Sequence, residues 1–396
     1  MGIVVLKNIA FRNFRNYESL SLQFSANMNL IAGGNAQGKT NILEGIYFLS
    51  TAKSHRTNRD DELIQHGKQW FYLRGQVSSR NSSTVVEITS TCDGKKRVRV
   101  NGKAQDRISN IIGKINAVMF SPEDLALVKG APSERRRFLD ILISRINPSY
   151  LHKLQEYHSV LRQRNELLRK TRFAQAPDKE SLDSWNALLV EAGSEIVRQR
   201  VSVVSELAKI AKERHRQLTS SREELNIEYQ SQLIGSDDNI EGAYKKSLAR
   251  AIDLDIRRSS TTVGPHRDDL IFTIDSVDVR RFCSQGQQRT GALSAKLANL
   301  ELMHLKLDEY PIVLLDDVTS ELDDDRISFL FDLLCKISVQ TFLTTTSFSD
   351  LAKVLRKFDS ISSDCRFFIV ENGRVRDGTA EYKRDLAGLA EADRLG

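Results

Sequence analysis

The sequence is short of cysteine and of long apolar runs, and each shortage excludes a class of protein. The chain contains only Cys92, Cys283, Cys335 and Cys365, which lie far apart and form no Cys-x-x-Cys pair. This spacing predicts reduced thiols rather than a disulfide framework. No apolar run approaches the length of a membrane span, and the amino-terminal segment meets charged residues too early for a secretory signal. We therefore expect a cytoplasmic protein with no membrane partner.

What the chain does contain is the composition of a folded globular protein with a mild positive excess. Hydrophobic residues make up 40% of the sequence and charged residues 28%, as in ordinary globular domains. The formal net charge is +6. An excess of this size is compatible with a polyanionic partner but does not by itself establish one.

Periodicity divides the 396 residues into stretches of different character. The first 130 or so are strand-rich with one helix, and Asp93-Gly94 and Asn101-Gly102 mark two hairpins. From about 133 to 216, two runs of helical periodicity flank a turn at 173–183, which predicts a pair of antiparallel helices. Strands and helices then alternate up to a hairpin at Asn372-Gly373, which indicates an α/β sheet completed by the C-terminal part. The last residues form either a terminal helix or a loose tail.

One glycine-rich stretch has the pattern of a phosphate-binding loop. It matches G-x-x-x-x-G-K-[ST] and follows the apolar run 30–32, with helical periodicity after it. Glycines let backbone N–H groups surround phosphate oxygens at a helix N-terminus. We expect Lys39 to reach the β- and γ-phosphates of ATP and Thr40 to ligate Mg²⁺. The predicted nucleotide-binding residues are Gly33, Gly34, Asn35, Ala36, Gln37, Gly38, Lys39 and Thr40.

A second stretch supplies the acidic half that a nucleoside triphosphate site needs. The apolar run 311–315 predicts a buried strand, and Asp316 and Asp317 follow at its carboxyl end. Asp316 is placed to hold Mg²⁺ together with Thr40, and Asp317 to polarise an attacking water as the catalytic residue. A core strand followed by an acidic turn is the alternative, and the phosphate-binding loop makes the functional interpretation the preferred one.

Three further stretches resemble ABC-type ATPases. SQGQQR at 284–289 resembles their signature loop, SELD at 320–323 resembles their D-loop, and TFLTTT at 341–346 lies where they carry a switch residue. The resemblance implies two heads that bind ATP face to face, with Ser284, Gly286 and Gln287 acting in trans on the nucleotide of the other head. A hydroxyl, a glycine and a helix N-terminus suit an anion at an interface. The long helical insertion between Lys39 and Asp316 resembles the SMC-like branch.

Motifs outside the ATP elements narrow the resemblance to the RecF family of bacterial recombination mediators. They are FRNFRNY near the start, TAKSHRT at 51–57, FSPEDLALVKGAPSERRRFLD at 120–140, VLRQRNELL at 160–168 and TTVGPHRDDL at 261–270. The likeness runs from residue 3 to about residue 350. It implies an ATP-binding, ATP-dependently dimerising protein that binds double-stranded and gapped or single-stranded DNA. It also implies slow ATP turnover and work with RecO, RecR and RecA in recombination, DNA damage repair, replication and the SOS response.

The expected architecture is an α/β ABC-type P-loop ATPase head, a mixed sheet with flanking helices, interrupted by a short coiled-coil-like helical arm. We expect the N-terminal part of the head at 1–132, the arm at 133–240, the C-terminal part of the head at 241–379 and a tail at 380–396.

The sequence departs from the wider ABC pattern in four places. Asp317 stands where transporter heads have Glu, which is consistent with a slow switch. Cys283 and Gln285 replace the usual Leu and Gly of the signature. Thr345 and Thr346 stand where many heads have a switch His, and Pro122 and Glu123 where a Q-loop Gln is expected, so these two roles stay unassigned.

Several charged residues have more than one interpretation. Lys95, Arg97 and Arg99 form a candidate DNA-backbone patch, and an ordinary solvated strand face is equally compatible with them. Resemblance to SMC-like heads suggests that Arg12 and Arg15 contact nucleotide, and a role in surface charge is as compatible. The group His266, Asp268 and Asp269 lacks a further ligand at metal spacing, so we prefer a structural role. For Arg135, Arg136 and Arg137, a base for the arm, a DNA contact and pairing with acidic groups stay open.

Two functional hypotheses remain from the sequence. The first is a slow ATPase used as a DNA-bound switch. The second is a non-hydrolysing ATP-bound DNA clamp, or another SMC-like ABC ATPase that acts on DNA.

Overall fold

A computed structural model describes residues 2–79, 82–171, 179–235, 239–346 and 365–381. Two sequence predictions fall mostly outside these ranges. The turn predicted at 173–183 is described only from residue 179, and the predicted tail 380–396 only up to residue 381.

The described residues form sixteen strands and ten α-helices. The strands are β1 (Gly2–Phe14), β2 (Tyr17–Gln23), β3 (Met28–Ala32), β4 (Trp70–Ser79), β5 (Ser82–Thr91), β6 (Lys96–Val100), β7 (Lys103–Ala104), β8 (Ala117–Phe120), β9 (Leu225–Gln230), β10 (Asp269–Ile274), β11 (Val277–Asp278), β12 (Glu309–Tyr310), β13 (Ile312–Leu315), β14 (Thr341–Thr345), β15 (Cys365–Glu371) and β16 (Arg374–Asp377).

The helices are α1 (Lys39–Thr51), α2 (Leu125–Lys129), α3 (Pro132–Ile146), α4 (Pro148–Thr171), α5 (Lys179–Leu218), α6 (Ile240–Arg258), α7 (Val279–Phe282), α8 (Gln285–Leu307), α9 (Val318–Glu321) and α10 (Asp324–Ile337). Short three-ten helices occur at Asp60–Leu63, Ile108–Ile111 and Pro122–Asp124. None of the helices within the described ranges combines the length and apolar character needed to cross a bilayer.

The chain divides into two compact units, Met1–Asp124 with Met303–Gly396, and Leu125–Leu302. The first unit contains two sheets. One has the order β12-β1-β4-β5-β6-β7, with β2 also paired to β1, and the other has the order β16-β15-β3-β14-β13-β8. In the second sheet all strands except β16 run parallel to their neighbours. Every residue of β3 and β13 is buried. This is typical of parallel strands, because helices or sheets cover both of their faces.

One apolar cluster joins both sheets of the first unit to α1. The helix contributes Ile42, Leu43, Ile46 and Leu49, all fully buried, and these are the residues whose spacing predicts a helix. Because α1 starts directly after the glycine-rich loop, this packing fixes the position of the loop.

The second unit combines helices with a small antiparallel sheet of order β11-β10-β9. The predicted pair of long helices is confirmed as α4 and α5, which pack against each other, and α6 packs on both. A fully buried ion pair, Arg164 Nη1 to Asp255 Oδ2 at 2.8 Å, links α4 to α6.

The three predicted hairpins are confirmed as β5–β6, β6–β7 and β15–β16. The placement of β10 differs from the prediction, which put β9 in the arm at 133–240 and β10 in the C-terminal part of the head at 241–379. They pair with each other along their full length in the second unit. The boundary predicted between residues 240 and 241 would separate these partners. Alternation of strand and helix does not reveal which sheet a strand joins, because pairing depends on contacts distant in sequence.

Candidate functional site

The glycine-rich loop connects the central strand of the parallel sheet to α1. β3 lies between β14 and β15 and ends at Ala32, and α1 begins at Lys39. Gly38 has φ +116° and Ala36 φ +62°, left-handed conformations that turn the chain from strand to helix. Asn35 and Ala36 are exposed. The helix N-terminus therefore opens at the carboxyl edge of the sheet, where open α/β sheets bind ligands.

Glycine is required at both ends of the loop by close neighbours. A Cβ on Gly33 would lie 2.3 Å from the Val370 carbonyl oxygen, and one on Gly38 would lie 2.4 Å from Asn16 Nδ2. Both distances are far below van der Waals contact. The loop is thus enclosed by β15 on one side and by the β1–β2 turn on the other.

The FRNFRNY segment holds the loop from behind. Asn16 Nδ2 donates to the Gln37 carbonyl at 2.8 Å, and the Tyr17 hydroxyl donates to the Gly38 carbonyl at 3.0 Å. Arg15 forms a two-point ion pair with the fully buried Glu44 of α1. The hypothesis that Arg15 contacts nucleotide gains no support, because its guanidinium donates to Glu44 of α1 and to the Glu62 carbonyl.

Lys39 is folded onto the loop. Its Nζ donates to the carbonyl oxygens of Gly33 at 2.7 Å and Gly34 at 2.8 Å. Burial lowers the pKa of Lys39, and the charges of Asp317 and Asp316 act in the opposite direction. The ammonium is therefore partly desolvated and close to both acidic residues, the situation in which a cation binds phosphate strongly.

Asp316 and Thr40 are in direct contact, as the sequence predicts for a magnesium site. The Thr40 hydroxyl donates to Asp316 Oδ1 at 3.0 Å. Asp316 is only 4% exposed, and this burial raises its pKa. A hydroxyl and a carboxylate are the oxygen ligands with which proteins hold Mg²⁺ beside phosphates, so the donor set fits the metal. Among the described residues no group of three or more His, Cys, Asp or Glu forms a separate metal cluster.

Thr344, at the end of β14, is a site residue that the sequence patterns did not predict. Its hydroxyl donates to Asp316 Oδ1 at 2.7 Å and accepts the backbone N–H of Asp317 at 2.9 Å. It precedes the two threonines considered as switch residues. Asp317 itself has a left-handed backbone with φ +49° and precedes α9, so its side chain leaves the strand in a direction different from that of Asp316.

Arg56 and Glu123 also lie at this edge and were not predicted as site residues. Arg56 Nε is 4.0 Å from Glu123 Oε1, and Arg56 Nη1 donates to Asn41 Oδ1 at 3.3 Å. Their charges shift the Asp316 pKa in opposite directions, Glu123 upward and Arg56 downward. Glu123 follows β8, in the region where the Q-loop was expected. No pattern in the sequence shows that it lies beside Asp316.

The signature segment forms a reciprocal cap on α8 in the second unit. The Ser284 hydroxyl accepts the Gln287 backbone N–H at 3.2 Å, and Gln287 Oε1 accepts the Ser284 N–H at 2.9 Å. This is a capping box of the S-x-x-Q type. Ser284 is exposed, and within the described ranges a Cβ on Gly286 would come within 4 Å of the Ser284 hydroxyl alone, at 3.9 Å. The segment therefore presents a helix N-terminus with open space beside its glycine.

The basic strand β6 is part of a broader charged face. Arg97 and Arg99 are exposed, whereas Lys95 lies in the preceding turn, where its Nζ is 2.7 Å from Asp93 Oδ2. Strand register aligns Arg97 with Thr89, Tyr72 and Arg12 across β5, β4 and β1. Directly opposed residues share one face of a sheet. A second row aligns Arg99 with Glu87 and Arg74. Four arginines and one glutamate thus lie on one face.

The His266 group has structural contacts. Tyr157 shares a hydrogen bond of 2.6 Å with His266 Nδ1, Arg135 forms a two-point ion pair with Asp269, and Tyr229 donates to Asp268. Burial lowers the pKa of His266 to about 4, so its ring is neutral at physiological pH. These contacts agree with the structural role preferred for the group and with a role of Arg135 as a base for the arm.

Known proteins share both the sequence and the fold of this chain. The RecF/RecN/SMC N terminal domain family matches residues 5–364. The chain is 43% identical over 376 residues to the DNA replication and repair protein RecF of Ligilactobacillus salivarius strain UCC118, covering 94% of this chain and 97% of that protein. A structure of the recombination mediator protein RecF with ATP in the RecFOR pathway superposes with TM-score 0.86 at 34% identity, covering 95% and 98% of the two chains. An Smc head domain from Pyrococcus furiosus shares the fold, with TM-score 0.57, 16% identity and coverage of 98% and 100%.

Proposed function

This chain belongs to the RecF family, and from that premise we propose that it is an ATP-dependent, DNA-binding recombination mediator of DNA replication and repair. The observation that carries the proposal is the assembly of Lys39, Thr40, Asp316 and Asp317 at the carboxyl edge of one parallel sheet. A similar RecF carries ATP in its solved structure. These four side chains come from two segments far apart in sequence, and their meeting is what a nucleoside triphosphate site requires.

ATP would bind with its phosphates against the backbone N–H groups of Gly33–Gly38. Lys39 would exchange its two carbonyl acceptors for oxygens of the β- and γ-phosphates, a stronger pairing because the acceptors are charged. Thr40 and Asp316 would hold Mg²⁺, which when bound neutralises phosphate charge. Since burial raises the pKa of Asp316, its ionised form is favoured by the arrival of that cation.

Asp317 would orient and polarise the attacking water. Aspartate is one methylene shorter than the glutamate of transporter heads, and its backbone is fixed by the N–H bond to Thr344. A short, rigidly held base supports slow turnover, so ATP would act as a timer of the bound state. The second hypothesis, a clamp that binds ATP without hydrolysing it, differs only in this step.

Two copies of the chain would close on ATP. Ser284, Gly286 and Gln287 of one copy would face the γ-phosphate held by the other, with the N-terminus of α8 directed at the anion. Two large apolar side chains beside this segment are solvent-exposed, Phe282 by 73% and Val277 by 43%. In the closed pair, the second copy would cover these side chains.

DNA would bind to the charged sheet face. Its four arginines, Arg12, Arg74, Arg97 and Arg99, span strands β1 to β6, about 14 Å at the usual strand spacing. Lys95 lies beside this face in the adjoining turn and would add a weaker contact. Arginine donors without base-reading neighbours suit phosphate contacts, which fix a protein on DNA without reading sequence. Double-stranded and gapped or single-stranded DNA would all offer this backbone.

The cellular setting is proposed from the family resemblance. We propose a cytoplasmic protein that works with RecO and RecR and helps RecA to load at single-strand gaps during repair, recombination and the SOS response.

Light scattering on the purified chain tests the central claim. Mass is measured with and without ATP and a gapped duplex, for wild type, Lys39→Ala and Ser284→Ala. An ATP-dependent doubling that both variants lose supports the two-headed switch. Retained ATP affinity in Lys39→Ala would remove the phosphate-loop assignment, and a wild-type monomer under all conditions would remove the ATP-driven dimer.

A further inference from the structure

One face of α8 is attached to the end of the long arm helix α5. Residues 287, 294 and 301 are seven apart, and a spacing of two helical turns places them in one row. Each contacts the region where α5 ends. The contacts are Gln287 Nε2 to Glu223 Oε1 at 3.0 Å, His215 Nδ1 to Ser294 Oγ at 3.1 Å, and Arg214 Nη2 to Glu301 Oε2 at 2.5 Å.

His215, whose side chain is fully buried, connects α8 to Glu223. Its Nδ1 shares a hydrogen bond of 3.1 Å with the Ser294 hydroxyl, which also lies 2.7 Å from the Thr290 carbonyl oxygen. Its Nε2 lies 3.3 Å from Glu223 Oε2. This contact is an ion pair when both ring nitrogens are protonated.

Glu223 connects this contact to the signature segment. One carboxylate oxygen faces His215 and the other accepts the Gln287 side-chain amide. The remaining amide oxygen of Gln287 accepts the Ser284 N–H. Glu223 thus fixes the rotamer of the side chain that caps the first turn of α8, because both ends of the Gln287 amide are held.

We propose that Glu223 is a positioning residue for the signature segment and that His215 orients Glu223. Glu223 would touch no nucleotide. Its effect would be to keep Ser284 and Gln287 in the geometry required to contact a phosphate bound to a second copy. The inference deepens the proposed ATP-dependent dimer and rests on it for its functional part.

The test compares three variants of the full chain. Glu223→Ala frees the Gln287 amide, and we expect ATP affinity of the monomer within about twofold of wild type but ATP-dependent dimerisation weakened about tenfold, the effect of one charge-assisted hydrogen bond. Glu223→Gln is the rescue, since a carboxamide accepts from Gln287 and donates to a neutral His215; it should return dimerisation to within about threefold of wild type. Calorimetry gives the ATP affinity and light scattering the dimer constant.

Glu224→Ala is the matched control. Glu224 adjoins Glu223 and pairs with Lys212 of α5 at 2.6 Å, so its removal cuts a neighbouring link between the same segments. Dimerisation should match wild type. Adding Gln287→Ala to Glu223→Ala should weaken dimerisation no further than Gln287→Ala alone, because the two residues act through one contact.

Amide hydrogen exchange of residues 284–288 without ATP gives a readout independent of dimerisation. Exchange should be faster in Glu223→Ala and unchanged in Glu224→Ala. Unchanged exchange, or faster exchange with wild-type dimerisation, would overturn the proposal. If wild type itself stays monomeric with ATP, the proposed dimer fails. Faster exchange would then still support the positioning of the segment by Glu223, and unchanged exchange would reject it.

Discussion

Thr344 donates a hydrogen bond from its hydroxyl to Asp316 Oδ1 across 2.7 Å. The same hydroxyl accepts the Asp317 N–H, so one side chain on β14 holds both acidic residues that follow β13. Thr344 is fully buried, and a buried polar group that loses its partner costs about 1–3 kcal/mol. The contact therefore links the stability of the sheet to the geometry of the site.

Replacing Thr344 by valine should separate these two effects. Thr344→Val keeps shape but leaves the Asp317 N–H without this acceptor, so we expect a loss of about 1–3 kcal/mol in the free energy of unfolding. ATP turnover should fall more than ATP affinity, because Lys39 and the loop are untouched. Thr344→Ser keeps the hydroxyl and is the control. Urea unfolding and steady-state turnover are the measurements, and a valine variant with wild-type turnover would disconnect Thr344 from the site.

The raised pKa of Asp316 predicts opposite effects of one substitution on stability and on metal use. Between the ordinary and the raised pKa, the folded chain binds more protons than the unfolded chain, so the unfolding free energy falls as pH rises through this window. Asp316→Asn removes the buried charge while its carbonyl still accepts from Thr40 and Thr344. We expect a higher melting temperature without nucleotide at neutral pH and loss of magnesium-dependent ATP turnover.

The experiment is thermal unfolding of both proteins from pH 5 to 8, with and without magnesium and ATP. The advantage of the Asn variant should shrink as pH falls, because the wild-type carboxyl becomes neutral. A variant less stable than wild type at pH 8 would show that the ionised carboxylate is well satisfied in the folded chain.

Local signals in the sequence were sufficient for the nucleotide loop and for the strands beside it. The loop pattern, the run of buried residues before Asp316 and the Asn-Gly and Asp-Gly turns are each encoded within about ten residues, and the structure places Lys39, Thr40 and Asp316 together. The family resemblance, which rests on several ordered motifs, gave the fold class.

Contacts between distant segments leave no such local signal and could not be predicted from the sequence. Thr344 is 28 residues from Asp316, and neither its hydroxyl nor its burial distinguishes it from Thr345 in the sequence. Arg56 and Glu123 meet because α1, which Arg56 follows, packs against β8, which Glu123 follows. The capping box at Ser284 and Gln287, in contrast, is visible in the sequence as a local S-x-x-Q pattern. These residues were interpreted from the sequence only as part of the signature.

Ser284 is both the cap of α8 and a predicted contact to the nucleotide of a second copy. Two of its variants should therefore rank differently in stability and in dimerisation. Ser284→Ala removes the N-cap acceptor and should cost about 1 kcal/mol of stability. Ser284→Asp keeps an acceptor for the Gln287 N–H and should cost less, but its negative charge would oppose a phosphate from a second copy. If the residue acts in trans, the Asp variant should be the poorer dimer and the more stable monomer. A better dimer for Asp than for Ala would leave Ser284 with the capping role alone.

The charged sheet face predicts a change in the salt dependence of DNA binding. Arg97 and Arg99 would each neutralise one phosphate, and each such contact contributes a slope of about 0.9 to the fall of log affinity with log salt. Arg97→Ala with Arg99→Ala should therefore reduce the slope by nearly two, equally for unrelated duplex sequences.

Lys95→Ala should have a smaller effect because Asp93 already pairs with its ammonium. Arg376→Ala, on β16 of the other sheet, is the control for general charge. Fluorescence anisotropy between about 50 and 200 mM salt measures the slopes, and an unchanged slope in the double variant would move the DNA contact away from this face.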